Sequence, residues 1–301
     1  MRKQYDSCRL DDFRREKLWG EFMKTWQKRT LAIILSVIFG VLAIFGLLEL
    51  SVVYSEKSWE HWRPDYEKKD ISLLMRKENK TDEDYELLYE QTGLTKLGID
   101  GLTEIGDYAR IQKIQDFYFD DHTINCRQFY PYTFIETIEA YATYAELETG
   151  DLIVSATTHV TFMRVGHAVL VVDGACEKIV ESLGIGSPSR LTYASTCANL
   201  ANFIVLRPTG IPKEVKEQAA EFAKTELLDK PYDFTVGILK KKFPDVLEST
   251  QCAHLCWYAY KKFGYDIDGN GGGLVQPRDI SKSPYMEVVQ TFGFNPDTLW
   301  R

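Results

Sequence analysis

The sequence predicts an α+β protein, in which an antiparallel sheet or half-barrel packs on a helix and a single transmembrane helix precedes both. Three observations predict it. Leu31 to Leu48 runs eighteen residues without a charge near the N-terminus. Apolar residues recur at helical spacing between residues 81 and 119. From Gly150 the pattern changes to short β-rich runs bounded by Gly, Pro, Asp or Ser, with two further helical stretches after them.

The uncharged run continues past Glu49 into LSVVY, enough to cross a bilayer core as a helix. Up to Arg29 there are nine Lys and Arg against five Asp and Glu, whereas Ser55 to Asp70 holds four against five. Residues 1–29 therefore read as a cytoplasmic basic tail, 30–54 as an uncleaved signal anchor, and the remainder as facing outward. A cleaved signal peptide is the rival reading. Its apolar core would be shorter, and no small-x-small site follows at a suitable distance. A buried soluble helix is a third reading. Residues 55–80, rich in charge and carrying Trp59 and Trp62, read as a stalk at the membrane interface.

The chain of 301 residues is 45% hydrophobic and has a net charge of −8. Removing the +4 of the tail (9 − 5) leaves −12 for residues 30–301. An acidic exported domain excludes nucleic acid as a natural partner. The tail itself (Arg2, Lys3, Arg9, Arg14, Arg15, Lys17, Lys24, Lys28, Arg29) is a topology signal and a contact for anionic lipid. Cys126, Cys176, Cys197, Cys252 and Cys256 would lie on the oxidising side. Their spacing suggests no disulfide framework, and an odd number leaves at least one free thiol.

Thr81 reads as an N-cap with Asp82, Glu83 and Asp84 in the first turn, for a helix ending at Gly93. A second helical stretch runs from Asp107 to Phe119, so residues 81–145 read as a helical segment packing on the domain of residues 146–301 or forming its lid. The strands are DLIVSA, HAVLVV, KIVES and NFIVLR. A helix follows from Pro212 to about Leu228, then another from Cys252 to about Phe263. GNGGG has no following Lys-Ser/Thr and reads as a connector, not a phosphate cradle.

A thiol becomes a nucleophile where a helix N-terminus or an imidazole lowers its pKa. Cys252 opens a helix; Cys256, one turn on, reads as a packed core thiol. The plain alternative for Cys252 is also a small core residue. His254 points about 200° round the helix from Cys252 and cannot be its base. His61 and His122 read as solvated, and His159 as part of a loop or strand edge. His167 opens the otherwise apolar strand GHAVLVV, which places it at the edge of a core facing a cleft; a satisfied structural histidine is the plain alternative. With Asp173 to Glu177 as a hairpin loop, Val172 pairs with Lys178 and Glu181 lies opposite Val169. His167 and Glu181 are then diagonal neighbours, and a carboxylate that orients an imidazole is what such a site needs. A one-residue slip would separate them. Cys252, His254 and Cys256 do not make a metal site, because His254 splays away from the two thiols.

The order ETGDLIV, GHAVLVV, KIVES, FIVLRP, KPYDF, QCAHLCWYAY and VQPRDI, over about residues 146–290, resembles the permuted papain-like cysteine hydrolases of the NlpC superfamily, the YiiX-like group. In that group the His strand precedes the Cys helix. The resemblance implies a circularly permuted papain-like fold with Cys252 as nucleophile, His167 as base and Glu181 as the orienting residue. It places Tyr232 of KPYDF at the substrate side of the site, where the plain reading is an aromatic turn residue. Asp151 would be structural. Relatives often carry Ser-Glu after the nucleophile where this chain has Ala253 and His254, which puts the substrate in doubt.

The resulting expectation is a thiol hydrolase, anchored in a bacterial cell membrane, that cleaves amide bonds of cell-envelope peptides through an acyl-enzyme, with neither cofactor nor metal. A lipid or amide acyltransferase with the same Cys-His site is the alternative. A non-catalytic envelope-binding module is the third reading.

Overall fold

The computed structural model describes the backbone of residues 2–59 and 61–300 and the side chains of residues 19, 23–57, 59 and 61–300. The tail side chains Arg2, Lys3, Arg9, Arg14, Arg15 and Lys17 lie outside the described residues. By internal packing the chain divides into two units, Met1–Tyr54 and Ser55–Arg301.

The first unit is nearly all of helix α1 (Arg2–Ser58). Leu31, Ile33, Phe39, Leu42 and Leu47 are each more than half exposed, so apolar side chains point out on every side with nothing packed on them. A soluble core helix would bury such residues, which removes the third reading of this segment. Met23–Lys57 is long and apolar enough to cross a membrane. At 1.5 Å per residue the eighteen uncharged residues alone reach about 27 Å, close to a hydrocarbon thickness of about 30 Å. The hydroxyls of Thr30 and Ser36 donate to the carbonyls of Trp26 and Ala32 within the helix.

The second unit begins with three helices, α2 (Asp82–Thr92), α3 (Lys96–Glu104) and α4 (Tyr108–Phe119). The ends of α2 follow its sequence signals: Thr81 and Asp84 form a capping box, and Gly93 closes the helix in the left-handed conformation at φ 70°. A correction concerns residues 124–138. They are not helical but form the hairpin β1 (Ile124–Tyr130) and β2 (Thr133–Ile138). Chain order continues with β3 (Leu152–Ser155), β4 (Thr158–Val160), β5 (Met163–Arg164), β6 (His167–Asp173), β7 (Lys178–Glu181), β8 (Arg190–Tyr193) and β9 (Phe203–Pro208). Then come α5 (Lys213–Glu226), α6 (Cys252–Lys261), α7 (Pro277–Ser281) and β10 (Met286–Phe292).

Two antiparallel sheets result. The larger has the order β10-β9-β3-β6-β7-β8 and the smaller β1-β2-β4-β5. Alternate residues of the larger sheet feed two cores. Leu152, Val154, Ala168, Leu170, Ile204 and Leu206 pack with α5 and α6. Ile153, Val169, Val171, Phe203 and Val205 pack with Leu88, Ile99, Leu102, Ile111 and Ile114 of α2, α3 and α4. A sheet buried on both faces explains why HAVLVV is apolar throughout instead of alternating. Fully burying each Leu, Ile or Val contributes about 1.5–3 kcal/mol. Ile71 and Met75, in the segment expected to be a stalk, are buried in the second core, so that part of the segment packs on the sheet unit.

Candidate functional site

Cys252 is the first residue of α6, and the preceding Gln251 is its N-cap. The Gln251 side chain is fixed at both ends: its Nε2 donates to the Val275 carbonyl at 2.6 Å and its Oε1 accepts from the Ala253 amide at 3.0 Å. The Cys252 thiol donates to the same Oε1 at 3.4 Å. With Ala253 capped, the Cys252 amide has no hydrogen-bond partner among the described residues. A helix start presents such amides toward developing negative charge.

His167 begins β6 and pairs with Ser155, at the end of the sheet where α6 also starts. Cys252 is near enough to help raise the His167 pKa, while its thiol hydrogen bond goes to Gln251. His167 Nε2 stands 3.1 Å from Glu181 Oε2. Burial alone would lower the His167 pKa, but the hydrogen bonds and negative charge of Cys252 and Glu181 outweigh it and carry the pKa up to about 10. Burial likewise opposes ionisation of Glu181, yet His167 and Arg190 hold its pKa below the usual carboxylate value. The β6–β7 register puts Glu181 opposite Val169. Lys178 pairs with Asp173, not Val172, because a bulge at Val172 takes up the extra residue. The bulge leaves the register at Glu181 unchanged.

Arg190, which the sequence reading missed, sits opposite Glu181 on β8 and donates to its Oε1 through Nε at 2.9 Å and Nη2 at 2.7 Å. The carboxylate is thus shared, one oxygen to the imidazole and one to the guanidinium. Gln251 was also missed; a side-chain oxygen just before a helix start was its signal. Tyr232 pairs with Thr250, two residues before Cys252. Burial first, and then the Cys252 charge, push its phenol pKa well up, so it remains a hydrogen-bond donor. Cys252 and His167 are only 6% and 5% exposed. Burial makes the site a poor place for water and strengthens every charge in it.

The other histidines do different things. His254 is buried, with Nε2 2.7 Å from the Lys242 carbonyl and Nδ1 2.9 Å from the Thr250 hydroxyl. Burial lowers its pKa to about 4, so it is a neutral strut between α6 and the preceding loop. His61 and His122 are not solvated: His61 stands 3.6 Å from Glu136, and the His122 ring packs on Phe117 and Phe292. His159 is fully buried on β4. Cys256 is also fully buried, and burial raises its pKa well above an ordinary thiol. Cys126, Cys176, Cys197, Cys252 and Cys256 are all free thiols. Asp151 is structural in its contacts, receiving Arg207 through Nε at 3.0 Å and Nη2 at 2.8 Å.

Donor atoms of His167, Glu181 and Cys197 lie within 4.8 Å of one another and have the chemistry of metal ligands. Arg190 already places a cation on this carboxylate, which disfavours a second one.

No family model matches the chain. It is 29% identical over 126 residues to the uncharacterised protein YycO of Bacillus subtilis (strain 168), covering 42% of this chain and 49% of YycO. The match spans about half the length of that curated relative. Among solved structures, the metalloprotein yiiX of Escherichia coli O157:H7 is similar over 48% of this chain and 97% of its own, at 18% identity and a TM-score of 0.36.

Proposed function

We propose that the protein is a membrane-anchored thiol hydrolase that cleaves an amide bond through an acyl-enzyme on Cys252. The observation that carries this reading is one imidazole, His167, held at 3.1 Å by the Glu181 carboxylate and electrostatically coupled to the Cys252 thiol at the start of α6. His167 holds the thiol proton as an imidazolium paired with the Cys252 thiolate, and the thiolate attacks the carbonyl carbon. The oxyanion forms at the start of α6, where the Cys252 amide is free to donate. As the tetrahedral intermediate collapses, His167 protonates the departing amine. It then deprotonates the water that attacks the thioester, which releases the acid and restores the thiol. Glu181, held by Arg190, stabilises the imidazolium in both steps. Tyr232 lines the substrate side. The basic N-terminal tail assigns residues 1–29 to the cytoplasm of a bacterial cell and the catalytic unit to the other side, where peptide amides of the cell envelope are the natural substrates.

A second reading, acyl transfer involving a lipid, has one observation in its favour. The segment between Tyr232 and Thr250 exposes Phe234, Ile238, Leu239 and Val246, each at least 60% exposed, beside Lys240 and Lys241. Apolar residues interspersed with lysines suit a lipid surface next to the site.

The test is alkylation by iodoacetamide across pH on the full chain in detergent, with the modified residue read by mass spectrometry. Cys176, an exposed free thiol, is the internal reference. Labelling of Cys252 faster than Cys176 at neutral pH, and slowed in His167→Ala, is the expected result. A Cys252 rate no higher than that of Cys176 and indifferent to His167 would leave a binding module.

A further inference from the structure

A second cluster of Cys, His and Glu lies outside the Cys252 site, and its residues are too far apart in sequence for a motif to reveal it. Glu56 stands at the C-terminal end of α1, Cys126 on β1 and His159 on β4. One ligand atom from each, a carboxylate oxygen, the sulfur and an imidazole nitrogen, lies within 4.8 Å of the other two. The sulfur is 3.3 Å from the carboxylate and 3.8 Å from the imidazole. Ligands held tetrahedrally at about 2.0–2.3 Å from one zinc ion stand about 3.3–3.8 Å apart, so these contacts already have the spacing of a coordination sphere.

The imidazole is presented for ligation. His159 Nδ1 lies 3.3 Å from the Thr161 carbonyl, the arrangement that puts the ring proton on Nδ1 and leaves the Nε2 lone pair facing Cys126. Phe134 stacks on the ring at 5.3 Å between centroids and 13° between planes, fixing its orientation. Thr161 itself takes φ +51°, a conformation that a β-branched residue holds only where its surroundings impose it.

Charge agrees with a divalent ion. Glu136, beside the cluster, is bound through both oxygens by Arg164 at 2.5 and 2.7 Å, so that pair is neutral. Glu56 and a Cys126 thiolate then supply a net charge of −2. His61 brings a further imidazole to Glu136, 3.6 Å away, and its Nδ1 is buried without a hydrogen-bond partner among the described residues. A nucleophilic role for Cys126 fits poorly. It sits mid-strand with no helix start behind it, and the Glu56 carboxylate opposes a free thiolate while favouring a metal-bound one.

We propose that Glu56, Cys126 and His159 form a metal site for a zinc-class divalent ion that ties the end of α1 to the four-stranded sheet. Sulfur, imidazole and one carboxylate favour Zn²⁺ or Co²⁺ over Mg²⁺ or Ca²⁺. The Cys126 proton is released on binding.

The test is titration of the full chain in detergent with Co²⁺ alone, reading the near-ultraviolet thiolate-to-cobalt band. The expected result is a band that saturates near one equivalent, is absent in Cys126→Ser, which has no thiolate to give it, and needs at least about 10- to 100-fold more Co²⁺ in His159→Gln, since loss of even an outer-shell partner costs that much. The band should persist in Cys252→Ala. Cys126 is exposed, so the serine variant has no core to disturb. A readout that needs no variant is protection: Zn²⁺ should slow alkylation of Cys126 and leave Cys176 unchanged. Absence of the band, its survival in Cys126→Ser, an unchanged Co²⁺ affinity in His159→Gln, its loss in Cys252→Ala, or alkylation of Cys126 indifferent to Zn²⁺ would each overturn the site.

Discussion

His167 and Glu181, fourteen residues apart in sequence, meet across β6 and β7 at 3.1 Å, and the second carboxylate oxygen is taken by Arg190 at 2.7 Å. The imidazolium is therefore held by one charge that is itself held by another. Replacing Glu181 by Gln keeps the shape and removes that charge. The His167 pKa, raised to about 10, should fall, because a negative neighbour favoured its protonated form. The alkaline limb of the Cys252 alkylation profile, where imidazolium is lost, should move to lower pH, and the neutral-pH rate should drop about 10- to 100-fold. An unchanged alkaline limb would show that Glu181 does not set the titration of His167.

His254 predicts an acid lability of the fold. Its folded pKa is lowered to about 4, whereas in the unfolded chain it is 6.5. The unfolded state binds the proton first, so stability is full above pH 6.5 and is lost as pH falls from 6.5 toward 4. The loss is on the order of 3 kcal/mol. Urea midpoints of the wild type and His254→Gln should converge across that window. A constant gap would refute the neutral-strut role.

Gly166 takes φ +67° directly before His167. A Cβ there would stand 2.3 Å from the Ser155 carbonyl oxygen and 2.6 Å from the Trp300 ring. Ser155 belongs to the strand that β6 pairs with, so relief of the clash must move the base. Gly166→Ala should cost about 1–3 kcal/mol in urea unfolding and, unlike a purely structural lesion, should slow Cys252 alkylation in the remaining folded protein.

Asp151→Ala supplies the contrasting case. It strips a buried carboxylate from Arg207, which retains Glu148 and the Glu146 carbonyl, each at 2.7 Å, and should destabilise by about 3–5 kcal/mol. The alkylation rate of folded Cys252 should not change. A slowed rate at full folding would give Asp151 a part in the site.

The elements legible in the sequence are those whose signals are local. Thr81 and Gly93 bracket α2 as read, and the apolar run after His167 becomes a strand buried on both faces. Helix α3 was invisible because Gly98 and Gly101 lower its propensity. Gly98 is needed there, since a Cβ would lie 2.5 Å from the Val289 carbonyl oxygen. The β1–β2 hairpin was missed because β1 is largely exposed, and its Arg127 and Gln128 hide any alternation. Its partner β4, and His159 with it, carries no signal of its own. Arg190 escaped notice for a different reason: its meaning depends on standing opposite Glu181, a register that β8 acquires only inside the sheet.

The larger sheet and α6 share one core, which includes small residues of both. Ala168 of β6 and Ala253 and Ala259 of α6 are all fully buried in the core they share. The gap between thiol and imidazole is thus a mechanical dimension of the core, set by how closely a helix can lie on a strand. A single added methyl at such a contact would act like a shim, widening that gap without altering any chemically active group. A descendant of this chain could lose its chemistry while every polar residue of the site remained in place.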